Sequence, residues 1–142
     1  MHLALIALLL FLTSCMRERL SVHTDYLSIE NLASYHVGTP DPVLNNPPIG
    51  QRLIVAWSVP RSYMDLADLH ILITMRFRDR KERVEKIELL KKSGVYTYSM
   101  LNEEYFDKGG ILTYKVQLFG GGQVLDEWRH QLWVDLITFE RE

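Results

Sequence analysis

The stretch LHILITMRF, residues 69–77, decides the fold of this 142-residue chain. Every second side chain from Leu69 to Phe77 is apolar, while the alternate positions include His70, Thr74 and Arg76. A period of two is that of a β-strand with one face in a core and the other toward solvent. The stretch therefore predicts a half-buried strand, and the residues on either side extend the pattern.

Toward the N-terminus, residues 51–59 repeat the alternation, and Pro60 ends it because proline has no backbone N–H to donate. The apolar face of this strand consists of Leu53, Val55, Trp57 and Val59. Toward the C-terminus, the apolar spacing in residues 83–92 fits either a helix or a strand. A strand is favoured, because Asp79-Arg80-Lys81 stands where a hairpin turn would reverse the chain.

Turn signals and β-forming residues continue along the chain. Gly120-Gly121-Gly122 lies between two apolar runs and predicts a hairpin, whereas residues 101–107 predict one helical turn that ends at Gly109-Gly110. Further strands are predicted near 31–37, at 94–100, at 111–119 and at 123–139. About seven strands joined by short turns predict a single all-β domain, an antiparallel β-sandwich.

Two of these strands resemble those of a known fold. The pattern Leu53-x-Val55-x-Trp57 before Pro60 resembles the second strand of fibronectin type III domains, which carries their core tryptophan. The pattern Tyr114-x-Val116-x-Leu118 before a glycine turn resembles their sixth strand. The resemblance implies an immunoglobulin-like sandwich with Trp57 in its core. It implies little about function, because this fold carries many functions.

The N-terminus has the pattern of a secretory signal. Leu3 to Leu12 is an apolar run of ten residues, about half the length that a membrane span needs, and small residues follow it. Residues 12–15, LTSC, resemble the lipobox of bacterial lipoproteins, in which the cysteine is lipidated and the preceding peptide bond is cleaved. An uncleaved anchor with an incidental Cys15 is the alternative.

The lipobox resemblance implies a domain plan and a location. The plan is a signal peptide at 1–14, a lipidated tether at 15–26 and a β-sandwich domain at 27–142. The location is a bacterial cell envelope, with the outer membrane favoured because Met16 stands where an aspartate would favour retention at the inner membrane. Residues 35–42 and 45–53 are also similar to small lipoproteins of chlamydia-like bacteria, which implies no activity.

Composition and motifs argue against several classes of function. The net charge of −2 and the pI near 6.2 give no basic excess for nucleic acid. The histidines after Cys15 (His23, His36, His70 and His130) form no metal-binding motif, and Cys15 is the only thiol. No serine stands in a GxSxG elbow. We therefore expect neither an enzyme, nor a cofactor, nor a bound metal.

Two surface features remain as candidates for binding a partner. Between Arg76 and Lys92, eight basic residues stand against four acidic ones, which predicts either a basic docking ribbon or a solvated face. The other candidate is a pair of tryptophans, which are either exposed for binding or part of the core. The predicted partner-binding residues are Arg76, Arg78, Arg80, Lys81, Arg83, Lys86, Trp128 and Trp133.

The sequence thus predicts a lipid-anchored envelope lipoprotein whose sandwich is a structural or protein-binding module. Its expected partners are the membrane, through lipid on Cys15, and another envelope protein. A surface module that binds carbohydrate or another ligand is the alternative.

Overall fold

The structure is a computed structural model that describes residues 19–136. Seven strands make up about half of it: β1 (Leu20–Leu27), β2 (Gly50–Ser58), β3 (His70–Phe77), β4 (Glu82–Glu88), β5 (Ser93–Leu101), β6 (Ile111–Gly120) and β7 (Gln123–Arg129). Two short helices accompany them, α1 (Ala33–Val37) and α2 (Asn102–Lys108). Single 3₁₀ turns lie at Ile29–Asn31, Pro42–Asn45 and Arg61–Asp65.

The strands form two antiparallel sheets, in the orders β1-β2-β5 and β4-β3-β6-β7. The fourth strand pairs with the third, as in immunoglobulin-like sandwiches that place an extra strand beside the third one. The predicted all-β sandwich is confirmed.

The core lies between the sheets and follows the period-two pattern. From β3, Ile71, Ile73 and Met75 are completely buried, and Phe77 is nearly so. They meet the inner faces of the other central strands, which contribute Leu53, Val55, Val116 and Leu118. Each such side chain contributes about 1.5–3 kcal/mol through removal of its apolar surface from water.

Both predicted hairpins are confirmed. Gly121 and Gly122 join β6 to β7 with φ values of 59° and 78°, a region that glycine enters without steric cost. Between β3 and β4, Arg80 has a φ of 70°, and the Asp79 carboxylate accepts the backbone N–H of Lys81 at 2.9 Å. The return of the chain at this turn makes residues 82–88 a strand, as the sequence favoured.

The first strand was predicted in the wrong place. Residues 31–37, predicted as an edge strand, form a 3₁₀ turn and α1, which ends at Gly38 with a φ of 65°. The strand is instead β1, and seven of its eight residues lie within the predicted tether at 15–26, which is therefore wrong from Leu20 onward. Leu20 and Val22 are 3% and 4% exposed and close the core beside β2. Their alternation covers only two apolar positions, so the sequence signal was too short to distinguish a strand from a polar linker.

The C-terminal strand is shorter than predicted. The last strand, predicted to run to residue 139, ends at Arg129, and a turn follows in which Trp133 N–H bonds the His130 carbonyl at 2.8 Å. Residues 137–139 lie outside the described residues, as do Cys15 and the predicted signal peptide.

Trp57 lies at the rim of the core and not at its centre. It is partly buried against the core, and its ring fills the space above Gly94, where an added Cβ would come within 2.4 Å of the indole. Its indole N–H donates to the Lys91 carbonyl at 3.1 Å. The tryptophan therefore covers one end of the core, and its hydrogen bond links the β4–β5 connection to β2.

The placement of β1 yields a stability prediction. A chain beginning at Met16 retains β1, whereas a chain beginning at Ser28 lacks it and exposes the core beside β2. The loss of two buried side chains and an eight-residue pairing exceeds about 5 kcal/mol, which is the whole stability of many domains. In urea titrations followed by circular dichroism, the longer chain should unfold cooperatively and the shorter one should show no transition. Equal midpoints for the two chains would contradict the assignment of β1 to the core.

Candidate functional site

The predicted basic ribbon lies on the β3–β4 hairpin, but its side chains do not share one face. The register places Arg83 opposite the buried Met75, and it places Glu82 opposite Arg76. Because successive side chains of a strand project to opposite faces, Arg83 and Arg76 lie on opposite sides of the sheet.

Ion pairs neutralise much of the ribbon. Four of its basic residues contact carboxylates: Arg76 with Glu82 at 2.9 Å, Arg83 with Glu85 at 2.6 Å, Lys86 with Asp68 at 2.9 Å and Lys81 with Asp79 at 3.4 Å. Glu104 also lies 3.8 Å from Arg83. Both Asp68 and Glu104 lie outside the basic segment 76–92. The local excess in the sequence therefore overstates the positive charge of this surface. Arg78 and Arg80 form no ion pair within residues 19–136.

Arg83 belongs to a cluster that joins α2 to β5. Glu104 on α2 accepts hydrogen bonds from Lys108 Nζ at 2.6 Å and from the Tyr98 hydroxyl at 3.0 Å, while the Arg83 guanidinium lies 5.1 Å from the Tyr98 ring centroid. The bond from Lys108 is the main cause that lowers the pKa of Glu104. Burial, and then the bond to Glu104, raise the pKa of Tyr98 to about 12. The cluster therefore pairs the charge of Arg83 with two carboxylates, although 46% of its side chain remains exposed.

Trp133 is held by its own chain on the outer face of the four-stranded sheet. The Arg76 guanidinium lies 4.0 Å and the Lys115 ammonium 5.0 Å from its ring. Its indole N–H donates to Asp135 at 2.9 Å, and this bond is the main cause that lowers the pKa of that carboxyl. Trp133 therefore lies outside the core, and its ring already contacts two cations of its own chain.

Trp128 faces inward from β7 and packs against the core. It borders an open depression of about 400 Å³ between the edges of β1 and β7, which His23, Tyr114, Arg129 and His130 also line. The rings of Tyr114 and His130 lie 5.0 Å apart. His23 and His130 come together only because the two sheet edges meet, so no local pattern in the sequence could have paired them.

A surface that the sequence analysis did not single out lies at one end of the sandwich, around the β4–β5 connection. We call it the Leu90 end; it comprises Arg19, residues 57–65 and residues 89–93. Leu90 is 85% exposed, the highest exposed fraction among the large hydrophobic side chains of the described residues. A shallow depression of about 430 Å³ at this end is lined by Arg61, Met64, Asp65, Leu90, Lys91 and Lys92.

The outer edge of β5 differs from the other sheet edges. The edge strands are β1, β4, β5 and β7, and β5 alone among them carries no Asp, Glu, Lys or Arg. Within the described residues β5 pairs only with β2, so one side of its backbone is left without a strand partner. Natural edge strands usually carry charge, proline or bulges, which discourage the addition of another strand.

Metal and membrane-spanning features are absent from the described part of the chain. No group of three His, Cys, Asp or Glu residues in 19–136 is placed to hold a metal ion. No helix among these residues has the length and apolar character to cross a bilayer.

The raised pKa of Tyr98 predicts a fall in stability at high pH. Its phenol is neutral in the folded protein up to about pH 12 but ionises near pH 10 when unfolded. The stability that the neutral phenol contributes is therefore fully present below pH 10 and is lost between pH 10 and 12. After allowance for solvent screening, we expect a loss of about 1–2 kcal/mol in that interval. Urea titrations at pH 8, 10 and 11.5 should show it.

Tyr98→Phe should reduce this fall, since phenylalanine does not titrate. Tyr26→Phe is the matched control, because it removes the hydroxyl of a tyrosine that is 59% exposed. An identical fall in the wild type and in Tyr98→Phe would contradict the prediction.

Comparisons of the chain with protein-family models, with curated proteins and with solved structures find no match.

Proposed function

We propose that this protein is a lipoprotein of a bacterial cell envelope, with the outer membrane as its favoured location. In this proposal lipid on Cys15 anchors the chain, and the β-sandwich is a structural or protein-binding module. The observation that carries the proposal is the lipobox-like LTSC directly after a ten-residue apolar run. Several acyl chains on one cysteine bind a membrane far more stably than a single chain.

The position of β1 supports a module that works at the membrane surface. Only residues 16–19 separate Cys15 from the first strand residue, Leu20. At roughly 3.5 Å per extended residue, five steps span at most about 17 Å. The sandwich therefore sits against the bilayer, where it meets other membrane components, and does not extend far from it on a flexible tether.

The edge of β5 supports a protein partner. Strand addition uses the unpaired backbone of an edge strand for hydrogen bonds and its alternate side chains for specificity. Val95 is 63% exposed on this strand, and Thr97 and Ser99 are also exposed. A partner segment in extended conformation would continue the three-stranded sheet without burying a charge.

A second candidate function is the binding of envelope carbohydrate in the depression between β1 and β7. The observation that favours it is the grouping of Trp128 and Tyr114 with polar side chains of His23 and His130. Aromatic surface together with a few polar groups is typical of ligand sites. Co-sedimentation of Trp128→Ala with isolated cell-wall polysaccharide, compared with the wild type, distinguishes this candidate from the first.

The anchor is tested by metabolic labelling with a fatty-acid analogue. We expect the wild-type protein to take up the label and to fractionate with membranes. Cys15→Ser should lose the label and the processing of the N-terminus, because serine offers no thiol for lipid. Label on the serine variant, or none on the wild type, would overturn the proposal.

The protein partner is tested with a photo-reactive amino acid at Thr97 on β5. In native membranes, this position should give crosslinked species of defined mass. The matched control is the same amino acid at Val84, which is 53% exposed on the charged edge strand β4. Equal crosslinking from the two positions would show that β5 is not the preferred edge.

A further inference from the structure

We propose that the Leu90 end is a second, electrostatic membrane contact that docks against anionic lipid headgroups. The orientation in this proposal rests on the proposed function, because lipid on Cys15 brings this end to the bilayer. The chemistry of the surface stands independently, on the exposure and the charge of its residues.

The chain enters the sandwich at this end. The Arg19 carbonyl accepts the N–H of Ser58 at 2.9 Å, and the Lys92 carbonyl accepts the N–H of Val59 at 2.8 Å. These two bonds place the start of the described chain beside the β4–β5 connection. Cys15 stands only four residues before Arg19, roughly 14 Å of extended chain at most. A lipid on Cys15 therefore directs the Leu90 end, and no other end of the sandwich, toward the bilayer.

Leu90 is presented outward by a fixed connection. Its neighbour Leu89 is 6% exposed and donates its N–H to the Leu69 carbonyl at 3.1 Å, which anchors one side. The carbonyls of Lys91 and Lys92 accept from Trp57 Nε1 and Val59 N–H, which anchors the other. Leu90 is 85% exposed on a connection that these hydrogen bonds fix. Its insertion between lipid headgroups is favourable, because it removes apolar surface from water.

The charges around Leu90 fit an anionic surface. Arg61, Lys91 and Lys92 are exposed and form no ion pair within residues 19–136, while Asp65 is the one acidic residue that lines the same depression. The depression therefore has a surplus of two positive charges on a chain whose net charge is −2. Basic side chains near an anionic membrane are each attracted to it over about one Debye length.

The opposite end of the sandwich has different chemistry. Helix α2 follows β5 there and carries Glu103, Glu104 and Asp107 against a single Lys108, while Arg78 and Arg80 lie on the β3–β4 turn at the same end. An anionic surface attracts the basic surplus of the Leu90 end and repels the acidic side chains of α2, whereas Arg78 and Arg80 offset part of that repulsion, so the orientation is set by the anchor together with the Leu90 end. A basic cluster with one exposed apolar side chain beside a lipid attachment point matches the two-signal pattern of stable membrane contact.

The first experiment measures depth with the lipidated mature protein in vesicles of 30% phosphatidylglycerol and 70% phosphatidylcholine that contain spin-labelled quencher lipids. Leu90→Cys carries an environment-sensitive fluorophore, and Phe106→Cys, on α2 and 66% exposed, is the matched control. We expect quenching at position 90 to exceed that at position 106 at least fivefold. The difference should fall in 0.5 M salt. Equal quenching at the two positions would overturn the proposal.

The second experiment separates docking from anchoring. In the full chain with Cys15→Ser, Lys91 and Lys92 are replaced by Glu, and binding to the same vesicles is measured by flotation. The matched control replaces Arg78 and Arg80 by Glu, which makes the same charge change on the β3–β4 turn at the other end. We expect at least tenfold weaker binding for the Lys91/Lys92 variant and less than twofold for the control, since any contribution of residues 1–14 is common to both.

The outcomes distinguish the two claims. If the wild type takes up the fluorophore at Cys15, that thiol is not lipidated and the proposed function fails, while flotation still decides the docking surface. If both charge variants float equally, the Leu90 end is not a membrane contact. Binding to soluble dextran sulfate without binding to vesicles would also overturn the proposal, because the surface would then recognise a polyanion and not a lipid surface.

Discussion

Burial of one face of β3 is the constraint on which the rest of the structure depends. β3 is paired on both sides, with β4 and β6, and its inner side chains at 71, 73 and 75 have no exposed surface. A one-residue shift in register would turn these side chains to solvent and bring Thr74 and Arg76 into the core. The register in turn determines which residues of β4 and β6 face inward, and therefore which charges reach each surface.

The placement of charge follows from this register and from contacts across the chain. Arg83 lies opposite Met75 and is directed to the inner side, where Glu85, Glu104 and Tyr98 surround it. Arg76 is directed to the outer side, where it binds Glu82 and the carbonyl of Val134 and lies over Trp133. The positive and negative residues of one hairpin therefore form two separate clusters, one on each side of the sheet. Each is largely neutralised, because a nearby carboxylate stabilises the charged form of its basic partner.

The surfaces left for binding a partner lie at a sheet edge and at one end of the sandwich. There, backbone groups or basic side chains have no partner among the described residues. The uncharged edge of β5 offers backbone hydrogen bonds, and the Leu90 end offers an exposed apolar side chain among basic ones that form no ion pair within residues 19–136. The partners proposed for these two surfaces differ in kind, because strand addition requires an extended peptide and docking on lipid headgroups requires an anionic plane.

By itself, the sequence determined the strands whose side chains alternate over four or more positions and the turns that glycine or a polar triplet marks. These signals are local, because alternation and turn chemistry depend only on neighbouring residues. It also supplied the lipobox resemblance at Cys15, which lies outside the described residues. It did not identify β1, because Leu20 and Val22 are recognisable as core residues only once β1 pairs with β2.

The tertiary structure decided which charged and aromatic side chains remain available. Asp68 and Glu104 neutralise residues 18 and 21 positions away, and Trp133 is covered by cations from two strands. It also brought Arg19, Arg61 and Lys92 together at one end, although they are spread over more than seventy positions of the chain. Electrostatic and packing partners are chosen by distance in space, and the folding of two sheets onto each other sets that distance independently of separation along the sequence.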